Sequence, residues 1–102
     1  MKAILLSLAA VGLLATGSAH ASQALAQKNN CLSCHALDKQ VVGPSYKAVA
    51  AKYKSDAAAP AKLAEKIKKG GSGVWGAVPM PPNPQVSDAD MKALVQWILS
   101  QK

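Results

Sequence analysis

The chain has 102 residues, and its twelve lysines against five acidic residues give it a net charge of +7. Such a balance suits either nucleic acid or an acidic protein surface as partner. Arginine is absent and no basic run is interleaved with aromatic residues, which argues against nucleic acid and favours an acidic protein surface. Phenylalanine is also absent, and the aromatic residues are two tryptophans and two tyrosines. A chain of this size and composition can build only a thin hydrophobic core, so we expect the core to enclose a large apolar group.

The first residues have the layout of a secretory signal peptide. Met1-Lys2 supplies a positive start, an apolar segment covers residues 3–15, and Ala19-His20-Ala21 matches an A-x-A cleavage site. A membrane anchor is the alternative, but it needs about 20 continuous apolar residues, and glycines and polar residues interrupt this segment too early. We predict cleavage of residues 1–21, export to the periplasm, no stable membrane insertion and a single mature domain over residues 22–102.

A helix is predicted from Ser22 to about Asn30, and it leads into Cys31-Leu32-Ser33-Cys34-His35. This C-x-x-C-H pattern is typical of covalent haem attachment through two thioethers, with the histidine as an axial iron ligand. Thioredoxin-like redox sites and zinc sites also use C-x-x-C, and in an exported protein the two cysteines could form a disulfide. The adjacent histidine and the absence of any other cysteine favour haem.

The segment after this motif ends in Gly43-Pro44, which predicts a loop and then a new helix. The carbonyl of Pro44 is a candidate acceptor for the outer ring nitrogen of His35, an arrangement that orients a histidine ligand. An ordinary helix-starting proline is the alternative. The helix itself is predicted from apolar residues at helical spacing, namely Tyr46, Val49, Ala50 and Tyr53.

Two further helices are predicted downstream. The third begins at Pro60 and stops at Gly70-Gly71, and its apolar residues are Leu63 and Ile67. The last begins with Ser87 as its cap, and its apolar face consists of Met91, Leu94, Val95 and Ile98.

Residues 70–84 form an irregular stretch rich in glycine and proline. A loop of about 15 residues is uncommon in a small domain unless it has a function, and we interpret that function as the presentation of Met80. Prolines on both sides restrict the backbone around its thioether, which can then approach an iron from the face opposite His35. Such ligation raises the haem potential and leaves no open coordination position. Met91 is the competing ligand, but its place in the last helix already explains it as a core residue.

The two tryptophans have different contexts. Trp97 lies on the last helix and is predicted to be a core residue at the contact with the first helix. Trp75 lies in the glycine-rich loop, where its indole N–H could donate to a haem propionate. Packing of the indole against the porphyrin is an equal alternative.

Together these residues resemble the class I c-type cytochromes, and within them the small bacterial cytochrome c-551/c-552 group. The segments that carry the resemblance are Cys31-Leu32-Ser33-Cys34-His35, Val42-Gly43-Pro44, Tyr46-Lys47, Ile67-Lys68, Gly73-Val74-Trp75-Gly76, Pro79-Met80-Pro81-Pro82-Asn83 and Trp97-Ile98-Leu99-Ser100. They span essentially all of residues 22–102. Two positions depart from the pattern, because Asn30 and Ala26 stand where the family often has a glycine and an aromatic residue.

The resemblance implies an all-α fold of about four helices wrapped around one haem c, attached through Cys31 and Cys34. It implies His35 and Met80 as the axial ligands of the iron. The further cofactor-binding residues that it implies are Pro44 as acceptor for His35, Trp75 and Lys66 near a propionate, and Asn83 hydrogen-bonding near the Met80 sulfur.

The predicted function is that of a monomeric periplasmic carrier of single electrons, not an enzyme. Its partners would be redox proteins with acidic docking surfaces, such as a membrane-complex donor and a terminal reductase, oxidase or peroxidase. The lysines that could guide docking are Lys28, Lys39, Lys47, Lys66 and Lys69. Two alternatives stay open: a haem enzyme or gas sensor with a vacant sixth position, and a haem-free thiol oxidoreductase.

Overall fold

The computed structural model describes residues 17–102, with side chains described from Ser22 onward. Four α-helices and no β-strand occur in this range: α1 at Gly17–Lys28, α2 at Tyr46–Lys52, α3 at Ala59–Lys69 and α4 at Asp88–Leu99. A short 3-10 turn at Cys31–Ser33 follows α1. This architecture confirms the predicted all-α fold. Most of the predicted signal peptide, residues 1–16, lies outside the described residues, and none of the helices within them has the length and apolarity to cross a membrane.

Side-chain caps start two of the helices. The Ser45 hydroxyl accepts a hydrogen bond from the N–H of Ala48 at 3.0 Å, and Ser87 accepts one from Asp90 at 3.2 Å. Each bond satisfies one of the N–H groups that a first helical turn leaves without an internal partner. The predicted cap at Ser87 is therefore confirmed. Pro60 lies in the first turn of α3, as expected, where its missing N–H costs no hydrogen bond.

The end of α1 differs slightly from its prediction, because the helix stops at Lys28 rather than at Asn30. Asn30 has a φ of 62° and is the one residue besides glycine with a positive φ in the described part of the chain. Asparagine tolerates this left-handed conformation better than most side chains do. This conformation also suits glycine, the residue that the resemblance implies for this position.

Helix α4 is the centre of the fold, because α1, α2 and α3 each pack against it. Leu94 in the middle of α4 is 1% exposed, and Ala26 of α1 is fully buried. Trp97 and Met91 are buried as well, which confirms both as core residues. The rings of Trp97 and of Tyr46 on α2 make a T-shaped contact, with 5.1 Å between ring centroids. Burial of each large apolar side chain contributes about 1.5–3 kcal/mol.

The turn between α2 and α3 is held by Asp56. Its Oδ1 accepts from the backbone N–H of Ala58 at 2.8 Å, and its Oδ2 accepts from the Nζ of Lys62 at 2.7 Å. The hydrogen bond from Lys62, followed by the one from Ala58, lowers the pKa of Asp56 below its ordinary value. The same carboxylate raises the pKa of Lys62.

We expect Asp56→Asn to lower the free energy of unfolding at neutral pH and to have less effect in acid. A carboxyl whose pKa is lower in the folded chain stabilises the fold above its ordinary pKa, and this contribution is lost as pH falls through the folded-state value. Urea unfolding between neutral pH and about pH 2 measures the difference. Glu65→Gln is the matched control, since it removes a carboxylate from an exposed pair with Lys69. Equal pH dependence in both variants would contradict the role of Asp56.

Candidate haem site

A cleft of about 250 Å³ opens between the 3-10 turn, α2, α3, α4 and the loop that follows α3. Its inner wall is apolar and is formed by Val49, Leu63, Ile67, Leu94 and Ile98. All five are buried in the core. The outer rim is formed by the exposed loop over residues 71–79. The cleft therefore has a buried apolar wall and an exposed rim, which suits a hydrophobic group that keeps one side in solvent.

Both cysteines of the motif line this cleft as free, half-buried thiols. The N–H groups of Cys34 and His35 both donate to the carbonyl of Cys31, at 3.2 and 3.0 Å. This tight turn explains why residues three and four positions apart reach the same cavity. Burial raises the pKa of the Cys31 thiol, whereas catalytic cysteines of the thioredoxin type have a lowered pKa.

A zinc site also lacks support in residues 17–102. No cluster of three or more histidine, cysteine or acidic side chains that could hold a metal ion occurs there. A structural zinc ion takes four such ligands. The motif therefore does not belong to a zinc site within the described chain.

The His35 ring is held in one orientation by its surroundings. Its Nδ1 lies 2.7 Å from the carbonyl oxygen of Pro44. A carbonyl can only accept, so Nδ1 carries the proton and Nε2 is left with a free lone pair. Gly43 fits closely against the same ring, because a Cβ at this position would lie 2.6 Å from Cε1. The imidazole is thus prepared to donate to a metal through Nε2.

Met80 lies on the cleft as part of the loop that follows α3. Its N–H donates to the carbonyl of Gly71 at 2.8 Å, and the N–H of Gly71 donates back to Met80 at 3.0 Å. Gly70 permits this pairing because its φ of 73° suits glycine and because a Cβ there would collide with the carbonyl oxygen of Met80. Met91, by contrast, is buried on α4 and does not line the cleft. The structure therefore brings Met80, and not Met91, to the cavity of His35.

Asn83 supports the backbone of the Met80 loop. Its main-chain N–H donates to the carbonyl of Ile67 at 2.9 Å, and its side-chain amide donates to Ile67 and Pro81 at 3.3 and 3.1 Å. The hydrogen bond near the Met80 sulfur that the resemblance implies stays a prediction.

Trp75 and Lys66 lie at the rim of the cleft and carry hydrogen-bond donors. Trp75 is 45% exposed, and the Nζ of Lys52 lies 5.6 Å from the centroid of its ring. A cation at this distance is attracted by the face of an indole. Lys66 is half-buried and also lines the cleft. The rim therefore offers an indole N–H and an ammonium group to any anionic part of a ligand.

Three contacts at this site are not predicted from the sequence. The Gly43 approach to His35 has no signal except the Gly-Pro pair, and the Lys52 contact with Trp75 has none. The helical spacing predicts only that Tyr46 lies on the apolar face of its helix. In the structure its ring stacks on His35, with 5.3 Å between centroids and an interplanar angle of 24°. Its hydroxyl is buried and has no hydrogen-bond partner of good geometry among the described residues.

The donor set of the cleft fits an iron porphyrin. One imidazole nitrogen, one thioether sulfur and two thiols meet in an apolar cleft, whereas a bare divalent ion would need more charged or polar ligands. The two thiols match the two thioether bonds of covalent haem attachment.

Comparison with known proteins gives the same answer. The Cytochrome c family model matches residues 19–102. A cytochrome c-552 of Nitrosomonas europaea is 56% identical over 92% of this chain and 91% of its own length. A cytochrome c-551 of Pseudomonas aeruginosa is 52% identical, over 96% of this chain and 95% of its own. The crystal structure of wild-type N. europaea cytochrome c552 superposes with a TM-score of 0.76 at 57% identity, over 78% of this chain and 99% of that one.

These matches extend over nearly the whole chain, and they agree with the all-α fold and with the pair of cysteines on the cleft. The chain therefore belongs to the cytochrome c family, as a small electron carrier with a single covalently attached haem c.

Proposed function

We propose that this cytochrome is a periplasmic carrier of single electrons, with its haem attached through Cys31 and Cys34 and ligated by His35 and Met80. The observation that carries the proposal is that these four side chains line one apolar cleft. The haem supplies the redox chemistry by cycling between Fe(II) and Fe(III). The surrounding residues bind the haem, orient its ligands and set the basicity of His35.

His35 is prepared as a ligand before any metal is bound. The hydrogen bond from Nδ1 to the Pro44 carbonyl selects the tautomer with a free Nε2. It also increases the electron density on the ring, which makes the imidazole a better donor. The role of Pro44 in the proposal is therefore to set both the orientation and the basicity of His35.

Met80 fills the position opposite His35 in the proposal. Its paired hydrogen bonds with Gly71 and the support from Asn83 hold the loop backbone at the cleft. A thioether ligand favours the reduced iron and so raises the potential. With both axial positions filled, no substrate or gas can bind, and we propose no catalytic activity for the chain.

Electrons would leave through the exposed rim of the cleft. The rim carries exposed apolar side chains, among them Val42, Val74, Trp75 and Val78. We propose that Trp75 and Lys66 face the haem propionates at this rim. An exposed apolar rim of this kind suits small, short-lived interfaces with redox partners.

Lysines around this rim would steer acidic partners towards it. Among the candidates, Lys69 is already paired with Glu65 at 3.4 Å, and Lys66 is half-buried. Lys28, Lys39 and Lys47 are exposed and take part in no ion pair with the described residues. These three are therefore the better candidates for long-range attraction.

The proposal is tested by expressing the full chain with its native leader in a bacterium that matures c-type cytochromes. We expect a red periplasmic protein whose intact mass equals residues 22–102 plus one haem, and whose oxidised form shows the far-red absorption band of methionine-ligated iron. The reduced protein should not bind carbon monoxide. A colourless periplasmic protein, or one that binds carbon monoxide rapidly, would contradict the proposed ligation.

Electrostatic steering gives a separate expectation for the rate of electron transfer. Stopped-flow reduction by an acidic redox protein should slow as ionic strength rises, because a screening length of roughly 8 Å at physiological salt removes long-range attraction. Lys39→Gln should weaken this salt dependence. Lys92→Gln is the matched control, because Lys92 lies on α4 away from the cleft. A rate that does not change with salt would contradict steering.

A further inference from the structure

The ring of Tyr46 stacks on the ring of His35. It is 3% exposed and also makes a T-shaped contact with the ring of Trp97. Its backbone is also fixed, because its N–H donates to the carbonyl of Ala36 at 2.9 Å. Ser45 caps the helix immediately before it. Tyr46 therefore has little freedom to move away from His35.

A single hydrogen bond does not define the plane of an imidazole. The contact between Nδ1 and the Pro44 carbonyl fixes one ring atom at 2.7 Å, but the ring can still tilt about that contact. The stacked ring of Tyr46 covers one face of His35 and so restricts the tilt. Gly43 approaches the ring closely near Cε1 and Nδ1. These three contacts together leave the imidazole one orientation.

The hydroxyl of Tyr46 makes no hydrogen bond that would account for a tyrosine at this position. It is buried without a hydrogen-bond partner of good geometry in the described part of the chain. The Cys31 sulfur lies near it, but sulfur is a weak hydrogen-bond acceptor. The group that contacts the imidazole is the ring, because it is the ring that stacks on His35.

We propose that Tyr46 is a positioning residue whose aromatic ring, and not its hydroxyl, sets the plane of the His35 imidazole over the haem iron. The inference rests on the proposed ligation of the iron by His35. The plane of an axial imidazole determines how unpaired spin spreads over the porphyrin in the oxidised state. It also determines the strength of the hydrogen bond to Pro44, and therefore the basicity of the ligand.

The test uses the mature holoprotein and three variants: Tyr46→Leu, Tyr46→Phe and Tyr53→Leu. Proton NMR of the oxidised protein gives the pattern of the haem methyl shifts, and voltammetry gives the midpoint potential. We expect Tyr46→Leu to change the methyl pattern and to raise the potential, because a tilted ring loses part of its hydrogen bond to Pro44. Tyr46→Phe should keep the wild-type pattern. Tyr53→Leu removes a ring of equal size that lines the same cleft but does not stack on His35, so it measures the effect of lost cleft packing and should change the pattern much less than Tyr46→Leu does.

A wild-type methyl pattern and potential in Tyr46→Leu would overturn the proposal. A Tyr46→Phe variant that behaves like Tyr46→Leu would also overturn it, because the hydroxyl would then be responsible. If Tyr46→Leu does not bind haem and mature, NMR of the reduced wild-type protein tests the stacking instead. A nuclear Overhauser contact between the Tyr46 and His35 rings supports the stacking, and its absence rejects it. Failure of the proposed function would look different, since the wild-type protein itself would then lack the spectrum of His/Met-ligated haem.

Discussion

The reduced Met80→Ala variant is expected to bind carbon monoxide stoichiometrically, whereas the reduced wild-type protein is expected to bind none. Removal of the thioether opens the position opposite His35, and among residues 17–102 no other methionine lines the cleft. The oxidised variant should lose its far-red absorption band. Its midpoint potential should fall, because methionine ligation is what raises the potential of this class of haem. Carbon monoxide titration, visible spectroscopy and voltammetry measure these three changes.

Met91→Leu is the matched control for this experiment. Met91 is buried on α4, and leucine conserves its volume, so we expect a stability loss of less than about 1.5 kcal/mol and no change in spectrum or potential. The reverse outcome, in which Met91→Leu loses the far-red band and Met80→Ala keeps it, would assign the ligand to Met91. An unchanged spectrum and potential in Met80→Ala alone would be enough to reject Met80.

Gly43→Ala is expected to disrupt the site almost as strongly, although it adds only one methyl group. The new Cβ would lie 2.6 Å from Cε1 and 2.9 Å from Nδ1 of His35. The backbone at Gly43 cannot easily retreat, because its N–H donates to the carbonyl of Cys34 at 2.7 Å. The ring would have to move and lose its hydrogen bond to Pro44. We expect a lower yield of holoprotein, and a loss of about 1–3 kcal/mol in the free energy of unfolding, measured with urea.

Gly73→Ala is the control that shows the effect of backbone strain alone, without a collision with His35. A Cβ at Gly73 meets no atom within 4 Å, but the φ of 104° disfavours alanine there. The control should therefore lose some stability while the haem methyl pattern stays that of the wild type. Gly43→Ala should change that pattern as well. If both variants keep the wild-type pattern, the close fit of Gly43 does not position His35.

Much of this protein could be predicted from its sequence because the relevant patterns are local. Cys31, Cys34 and His35 are neighbours in the chain, so their spacing alone indicates covalent haem attachment. The helical spacing of the apolar residues on α4 and the cap at Ser87 depend only on residues within a few turns. The loop that carries Met80 is visible in its glycine and proline content. Each of these signals depends on the conformation of a short segment.

The tertiary structure alone decided which distant residues meet and at what angle. Stacking of Tyr46 on His35, the T-shaped contact of Trp97 and the approach of Lys52 to Trp75 join residues from different segments. Such contacts depend on how α2, α4 and the loops dock, and no local pattern encodes a docking angle. The sequence by itself therefore determined the fold class and the ligand types. The Pro44 acceptor for His35 is predicted from the sequence as well. Only the packed structure determined that Tyr46 and Gly43 close in on the imidazole, because these contacts depend on how the segments dock.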